Sequence, residues 1–176
     1  MTVHDTAHGP DSDRRTVDVL IEIPRGSRNK YEYDRKRGVI RLDRVLYSSV
    51  HYPTDYGLIP ETLSADGDEL DALVMVEEPT FPGCLVVARP IGVLFMRDEK
   101  GEDAKILAVP DSDPRFDSIL ELGDVAPHWL REIENFFASY KRLEDAETEL
   151  RGWDGRQKAW AIIQEARTLY STSRIS

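Results

Sequence analysis

The chain has 176 residues, 40% hydrophobic and 32% charged, with a formal net charge of −10 from 33 acidic and 23 basic side chains. That length holds one domain with a real core, and no apolar run reaches the ~20 residues that cross a bilayer, so no membrane partner is expected. The acid excess argues against nucleic acid or an anionic membrane, both of which call for a basic face. A small anionic substrate stays compatible if metal ions sit on the acidic groups.

Residues 1–15 are polar, aperiodic and without the apolar stretch of a secretory signal; they read as a disordered tail ahead of one domain over 16–176. Residues 16–23 alternate, with Val17, Val19, Ile21 and Ile23 on one face and Glu22 on the other, and Pro24 closes this strand. Residues 29–34 alternate again, grouping Lys30, Glu32 and Asp34 opposite Tyr31 and Tyr33. Arg35-Lys36-Arg37-Gly38 turns into a third strand over 39–46, so an antiparallel meander is expected. Residues 47–64 read as a long irregular loop, a kind that is often functional. Further strands are expected over 70–77, 83–90, 91–96 and 104–109, with Pro90 dividing the middle pair. The single cysteine, Cys84, excludes an internal disulfide, suits a reducing cytoplasm and reads as a small buried hydrophobe.

Helices come last. After Pro127, the residues Leu130, Ile133, Phe137 and Tyr140 fall at helical spacing, backed by Trp129 and Phe136, and predict a helix to about 144. Asp154 reads as the N-cap of a second helix with Ala159, Ile162, Ile163, Ala166 and Leu169 as its stripe. Short strands followed by two helices give an α+β domain on a small, partly closed barrel.

The stretch Asp66-Gly67-Asp68-Glu69-Leu70-Asp71 places four carboxylates within six residues. Two such charges at ~4 Å repel by about 4 kcal/mol at an effective dielectric near 20. A hard cation taking oxygen ligands would convert that repulsion into binding; taken alone, the stretch also fits a solvated turn. An EF-hand loop does not fit, because Leu70 and Asp71 fall where a ligand and a glycine are required. A second acidic group, Asp98-Glu99-Lys100-Gly101-Glu102-Asp103-Ala104-Lys105, puts Asp103 and Lys105 at one parity at a strand start, where a metal and an anion could be held together. No Ser-His-Asp, Cys-His, P-loop or dinucleotide pattern is present. Carboxylates decorated with Lys, Arg and Tyr are what metal-dependent hydrolysis of a phosphate compound requires.

Seven segments in order carry a resemblance: Ile21-Glu22-Ile23-Pro24, Asn29-Lys30-Tyr31-Glu32, Leu42-Asp43-Arg44, Tyr52-Pro53-Thr54-Asp55-Tyr56-Gly57, the acidic turn, the segment 97–105, and Phe136-Phe137-Ala138-Ser139-Tyr140-Lys141. Over roughly residues 16–144 the chain resembles the family I soluble inorganic pyrophosphatases of bacterial type. The resemblance implies an OB-like five-stranded β-barrel with flanking α-helices, a cytoplasmic homo-hexamer, and Mg2+-dependent cleavage of pyrophosphate with several ions per site. It implies Glu22, Glu32, Asp66, Asp71, Asp98 and Asp103 as metal ligands, and Lys30, Arg44, Tyr56, Lys105, Tyr140 and Lys141 as phosphate contacts, with Tyr52 in support. Asp68 resembles the general base, with Asp103 as the alternative. Two departures stand out: Glu69 occupies a position more often Pro, and the acidic residues 145–149 replace a Lys-rich segment. A relative acting on nucleoside or polyphosphate substrates, and a non-enzymatic OB-like binding module, are the competing expectations; neither a nucleoside platform nor a basic stripe is present.

Overall fold

The computed structural model describes residues 14–175, so most of the expected tail, with His4 and His8, lies outside the described residues. Of its last two positions, Arg14 Nη2 lies 3.1 Å from Asp117 Oδ1 and the Arg15 guanidinium sits 4.3 Å over the Trp160 ring.

The alternating run becomes β1 (Val17–Ile23), with Val17, Val19, Ile21 and Ile23 buried. Both edges of β1 are taken by later strands, β4 (Asp55–Ile59) and β6 (Leu85–Asp98). No edge is left for β2 (Asn29–Asp34), so the expected meander does not form. Instead β2 and β3 (Val39–Val45) make a separate two-stranded sheet.

The main sheet continues from β4 to β5 (Leu70–Val74), to β7 (Gly101–Pro110) and to β6, which returns to β1. These five strands close an OB-like ring, which removes free sheet edges. All its neighbours run antiparallel except β5 and β7, paired parallel with Asp71 opposite Lys105. An eighth strand, β8 (Glu149–Gly155), extends the sheet from β6.

Several boundaries differ from expectation for local reasons. β4 lies inside the stretch expected to be irregular. It packs so closely on β1 that a Cβ on Gly57 would meet the Leu20 carbonyl oxygen at 2.0 Å, which explains the glycine after Tyr56. Pro90 does not divide two strands; β6 runs through it as one strand of 14 residues with a register shift between Pro90 and Gly92, a bulge that tolerates the missing donor. Asp154 is not a helix cap but a β8 residue paired with Val93. The second helix, α2 (Arg156–Ser173), starts after Gly155. The first, α1 (Pro127–Ser139), stops short of 144; Arg142–Glu144 forms one 3-10 turn, ended by Asp145 in the left-handed region at φ 55°.

Two clusters form the core. One packs Val19, Ile21, Ala72, Val74, Val93 and Ile106 against Ala159, Trp160, Ile163 and Ala166 of α2. Leu169, expected in that stripe, is 45% exposed, and Trp160 is buried in its stead. Cys84 is only partly buried against the same cluster. The other packs Leu73, Leu94, Met96 and Leu107 under Ile133, Phe136, Phe137 and Tyr140 of α1. Among the described residues no helix is long and apolar enough to cross a membrane.

Candidate active site

A cleft of about 660 Å³ is bounded by β1, β4, β5, β7, the β2–β3 hairpin and the end of α1. Strand register builds its barrel-side wall. Asp71, second residue of β5, lies opposite Lys105 of β7, and Asp103 precedes Lys105 by two positions on the same face. The Lys105 ammonium is buried and donates to Asp71 Oδ2 (2.8 Å), Asp103 Oδ2 (2.9 Å) and Tyr56 Oη (2.9 Å). Burial alone would lower the Lys105 pKa, but the charges of Asp71, Tyr56 and Asp103 carry it well above its ordinary value. Burial raises Asp103 against the opposing pull of Lys105, with the Asp71 charge adding to the rise. Tyr56 is likewise pushed well up by burial and then by the Asp71 charge.

Two bulges shape the cleft, and simple alternation foresees neither. The β1–β4 register shifts between Ile21 and Ile23: Val17, Val19 and Ile21 pack in the α2-side cluster, Ile23 joins the α1-side one, and Glu22 is buried in the cleft wall. Its Oε2 accepts the Tyr33 backbone N–H at 2.7 Å. Burial raises its pKa from 4.5 to about 7, the Tyr33 bond opposing and the Asp71 charge adding to the rise. The β2–β3 register shifts beside Lys30, which pairs with Arg44 while Tyr31 pairs with Leu42. Asp43 and Arg44, adjacent in sequence, thereby both line the cleft. Lys30 Nζ lies 2.6 Å from Glu32 Oε1 and 3.2 Å from Asp43 Oδ2. Arg44 Nη1 lies 2.6 Å from Asp43 Oδ2, and its Nε 2.7 Å from Glu144 Oε1.

The acidic turn is pinned from behind by buried Thr62, whose hydroxyl donates to the Ile59 carbonyl (2.5 Å) and accepts the Leu70 N–H (3.0 Å). Gly67, at φ +88°, permits the reversal, and the Asp68 N–H donates to Asp66 Oδ1 at 3.0 Å. Asp66 and Asp68 are exposed at the cleft rim, while Glu69 pairs with Arg35 at the hairpin turn. Opposite, Asp98 Oδ2 accepts from Lys141 Nζ at 3.1 Å and Asp98 Oδ1 from the Lys100 N–H at 2.9 Å. Burial works against the Asp98 carboxylate, yet these two donors hold it below its ordinary pKa. Tyr140 is raised by burial, with the nearby lysine charges opposing.

Every expected site residue lines this one cleft except Tyr52, which is buried edge-on to Tyr56 (ring centroids 5.5 Å) and tilted against Phe136 (4.5 Å). The structure adds Asp43, Glu99 and Glu144 to the lining. Asp43 was legible as a charge beside Arg44; Glu144 had no local signal, because its approach to Arg44 depends on the turn after α1.

The donor set suits a hard divalent cation: Glu22, Asp66, Asp71, Asp98 and Asp103 are all oxygen ligands. Among the described residues no group of three such side chains is drawn together into a closed cage; the Lys105 ammonium lies between Asp71 and Asp103. The buried Glu22 carboxyl, raised with Asp71 near it, marks negative charge that a cation would offset.

The inorganic pyrophosphatase family model matches residues 19–171. A protein named inorganic pyrophosphatase from Methanosarcina acetivorans is 51% identical over 159 residues, covering 90% of this chain and 95% of that protein. One of the same name from a Nostoc species is 53% identical over 154 residues, covering 88% and 91%. The crystal structure of inorganic pyrophosphatase from Thermus thermophilus superposes with a TM-score of 0.88 at 42% identity, covering 95% of this chain and 98% of that one. Family match, relatives and barrel agree: the chain belongs to the inorganic pyrophosphatase family.

Proposed function

We propose that this protein hydrolyses inorganic pyrophosphate to two phosphates with Mg2+ as its metal, several ions serving each site. One observation carries the reading: a single cleft is lined by six ammonium, guanidinium and phenol groups (Lys30, Arg44, Tyr56, Lys105, Tyr140 and Lys141) beside a carboxylate-rich rim. The cations and phenols suit the oxygens of a diphosphate, and the carboxylates suit the ions that accompany it. Glu22, Glu32, Asp66, Asp71, Asp98 and Asp103 would hold the metals, which when bound acidify water and offset phosphoryl charge. Lys30, Arg44, Tyr56, Lys105, Tyr140 and Lys141 would bind and orient the phosphates, while Tyr52 backs Tyr56.

Asp68 is the better-placed proton acceptor. It is exposed at the rim, and among the described residues both its carboxylate oxygens are without a hydrogen bond, whereas Asp103 shares its charge with the Lys105 ammonium through Oδ2 at 2.9 Å. A base must have a lone pair free for the attacking water. A cytoplasmic homo-hexamer completes the proposal, and light scattering that gives a monomer would refute that assembly.

The test measures phosphate release from pyrophosphate, ATP and tripolyphosphate, with Mg2+ and with chelator. Pyrophosphate should be preferred and chelator should abolish turnover; chelator-resistant or unselective activity overturns the reading. Asp68→Asn should lower kcat by about 10²–10⁴. Full retained rate would move the base to Asp103.

A further inference from the structure

The β2–β3 hairpin belongs to its own sheet, yet it carries Lys30 and Arg44 into the cleft. Their placement therefore depends on ties from outside the hairpin. One comes from the turn after α1. There the Glu144 N–H donates to the Lys141 carbonyl at 2.9 Å, and Asp145 at φ 55° reverses the chain directly behind it. This delivers Glu144 Oε1 to 2.7 Å from Arg44 Nε, with both side chains largely buried at 24% and 15% exposure. Asp43 Oδ2 holds Nη1 of the same guanidinium at 2.6 Å. Asp43 thus accepts a hydrogen bond from one side of the fork, and Glu144 closes on the other as an ion pair in which Nε meets no aligned acceptor. Among the described residues Nη2 has no partner, and the side chain lines the cleft.

We propose that Glu144 is a positioning residue for substrate binding: it braces Arg44 across the cleft against Asp43, so that the free Nη2 is aimed at a phosphate oxygen. A guanidinium recognises phosphate through its fixed fork, so orientation matters as much as charge. The proposal rests on the pyrophosphate reading above for the identity of the ligand. It also explains a link that sequence separation hides, since it joins the hairpin to the same turn that presents Tyr140 and Lys141.

A charge effect and a positioning effect have opposite signatures. If Glu144 merely repelled the anionic substrate, Glu144→Gln would lower KM, and Glu144→Asp, which keeps the charge, would behave as wild type. If Glu144 positions Arg44, both substitutions raise KM, because Asp retreats by one methylene and Gln loses the ion pair. The expected result is a rise of about five- to tenfold in KM with kcat within about twofold, and no further rise when either change is added to Arg44→Gln. Calorimetric titration with imidodiphosphate, an analogue with a P–N–P bridge, should show the same non-additive weakening without turnover. Additive effects in the Arg44→Gln background, a lowered KM, or an altered Mg2+ requirement with unchanged KM would each overturn the proposal. Wild-type protein that turns over no pyrophosphate would defeat the proposed function instead, and the calorimetric cycle would still decide the role of Glu144.

Discussion

Two lysines in one cleft hold nearly the same partners at nearly the same distances. Lys105 on β7 lies 2.8 and 2.9 Å from Asp71 and Asp103; Lys30 on the hairpin lies 2.6 and 3.2 Å from Glu32 and Asp43. Their side chains are 3% and 21% exposed. Distance therefore does not distinguish the two clusters; the medium does. On the barrel wall the ammonium itself is sealed from water while Asp71 and Asp103 keep 29% and 21% exposure; on the hairpin, solvent reaches the ammonium as well as its partners. The closed ring gives the half-site with the drier cation, and the two-stranded hairpin the one with the wetter.

Removing the central cation tests this contrast most severely. Lys105→Met leaves Asp71, Asp103 and the Tyr56 hydroxyl facing one another without a counter-charge, and should cost about 3–5 kcal/mol of stability. Lys30→Met should cost less than about 1 kcal/mol. Urea unfolding in chelator, at matched protein concentration because oligomers gain stability by mass action, measures both. Equal losses would break the distinction between wall and hairpin.

Glu22 joins the two halves: it sits on β1 of the ring and accepts the Tyr33 N–H of the hairpin. Burial raises its pKa from 4.5 to about 7, so the folded protein keeps a proton that the unfolded chain releases between those values. The stability this provides is full below pH 4.5 and is lost as pH rises through about 7. At 1.36 kcal/mol per unit, the loss across that window is about 3 kcal/mol. Asp103, also raised, acts in the same direction. In chelator, Glu22→Gln should flatten the fall in unfolding free energy between pH 4.5 and 7, and should leave the variant more stable than wild type at pH 8. An unchanged slope would show that burial does not hold the Glu22 proton.

What could be read beforehand follows the same division. Periodicity located most strands and both helices, because burial of Val17, Val19, Ile21 and Ile23, or of Ile133, Phe136 and Phe137, leaves a local trace. The cleft residues were legible through the spacing of seven segments; no single segment indicated which would meet. Bulges were not legible. Alternation put Ile23 on one face with Val17, Val19 and Ile21, whereas the extra residue in β1 moves it to the other core cluster and leaves Glu22 buried in the cleft wall. A partly closed barrel was expected, but which strands close it was hidden, since β1 pairs with a strand more than 60 residues later and only tertiary register decides that. β8 was missed because its partner β6 supplies its order: Glu149, Arg151, Gly152 and Asp154 are exposed and leave no apolar alternation.

The smallest effect is expected at the hairpin's outer edge. Arg41 is 46% exposed, with Nη2 2.8 Å from Glu32 Oε2 and Nη1 3.8 Å from Asp43 Oδ1. Arg41→Ala should change stability by less than about 1 kcal/mol, and the difference should vanish near 1 M salt, where the screening length is about 3 Å. The contrast with Lys105 is then one of salt response as well as size, because a cation sealed between Asp71 and Asp103 is screened far less. Should Arg41→Ala keep its effect at high salt, the hairpin contacts would have to be as desolvated as the Lys105 ammonium, and the contrast between the two clusters would fail.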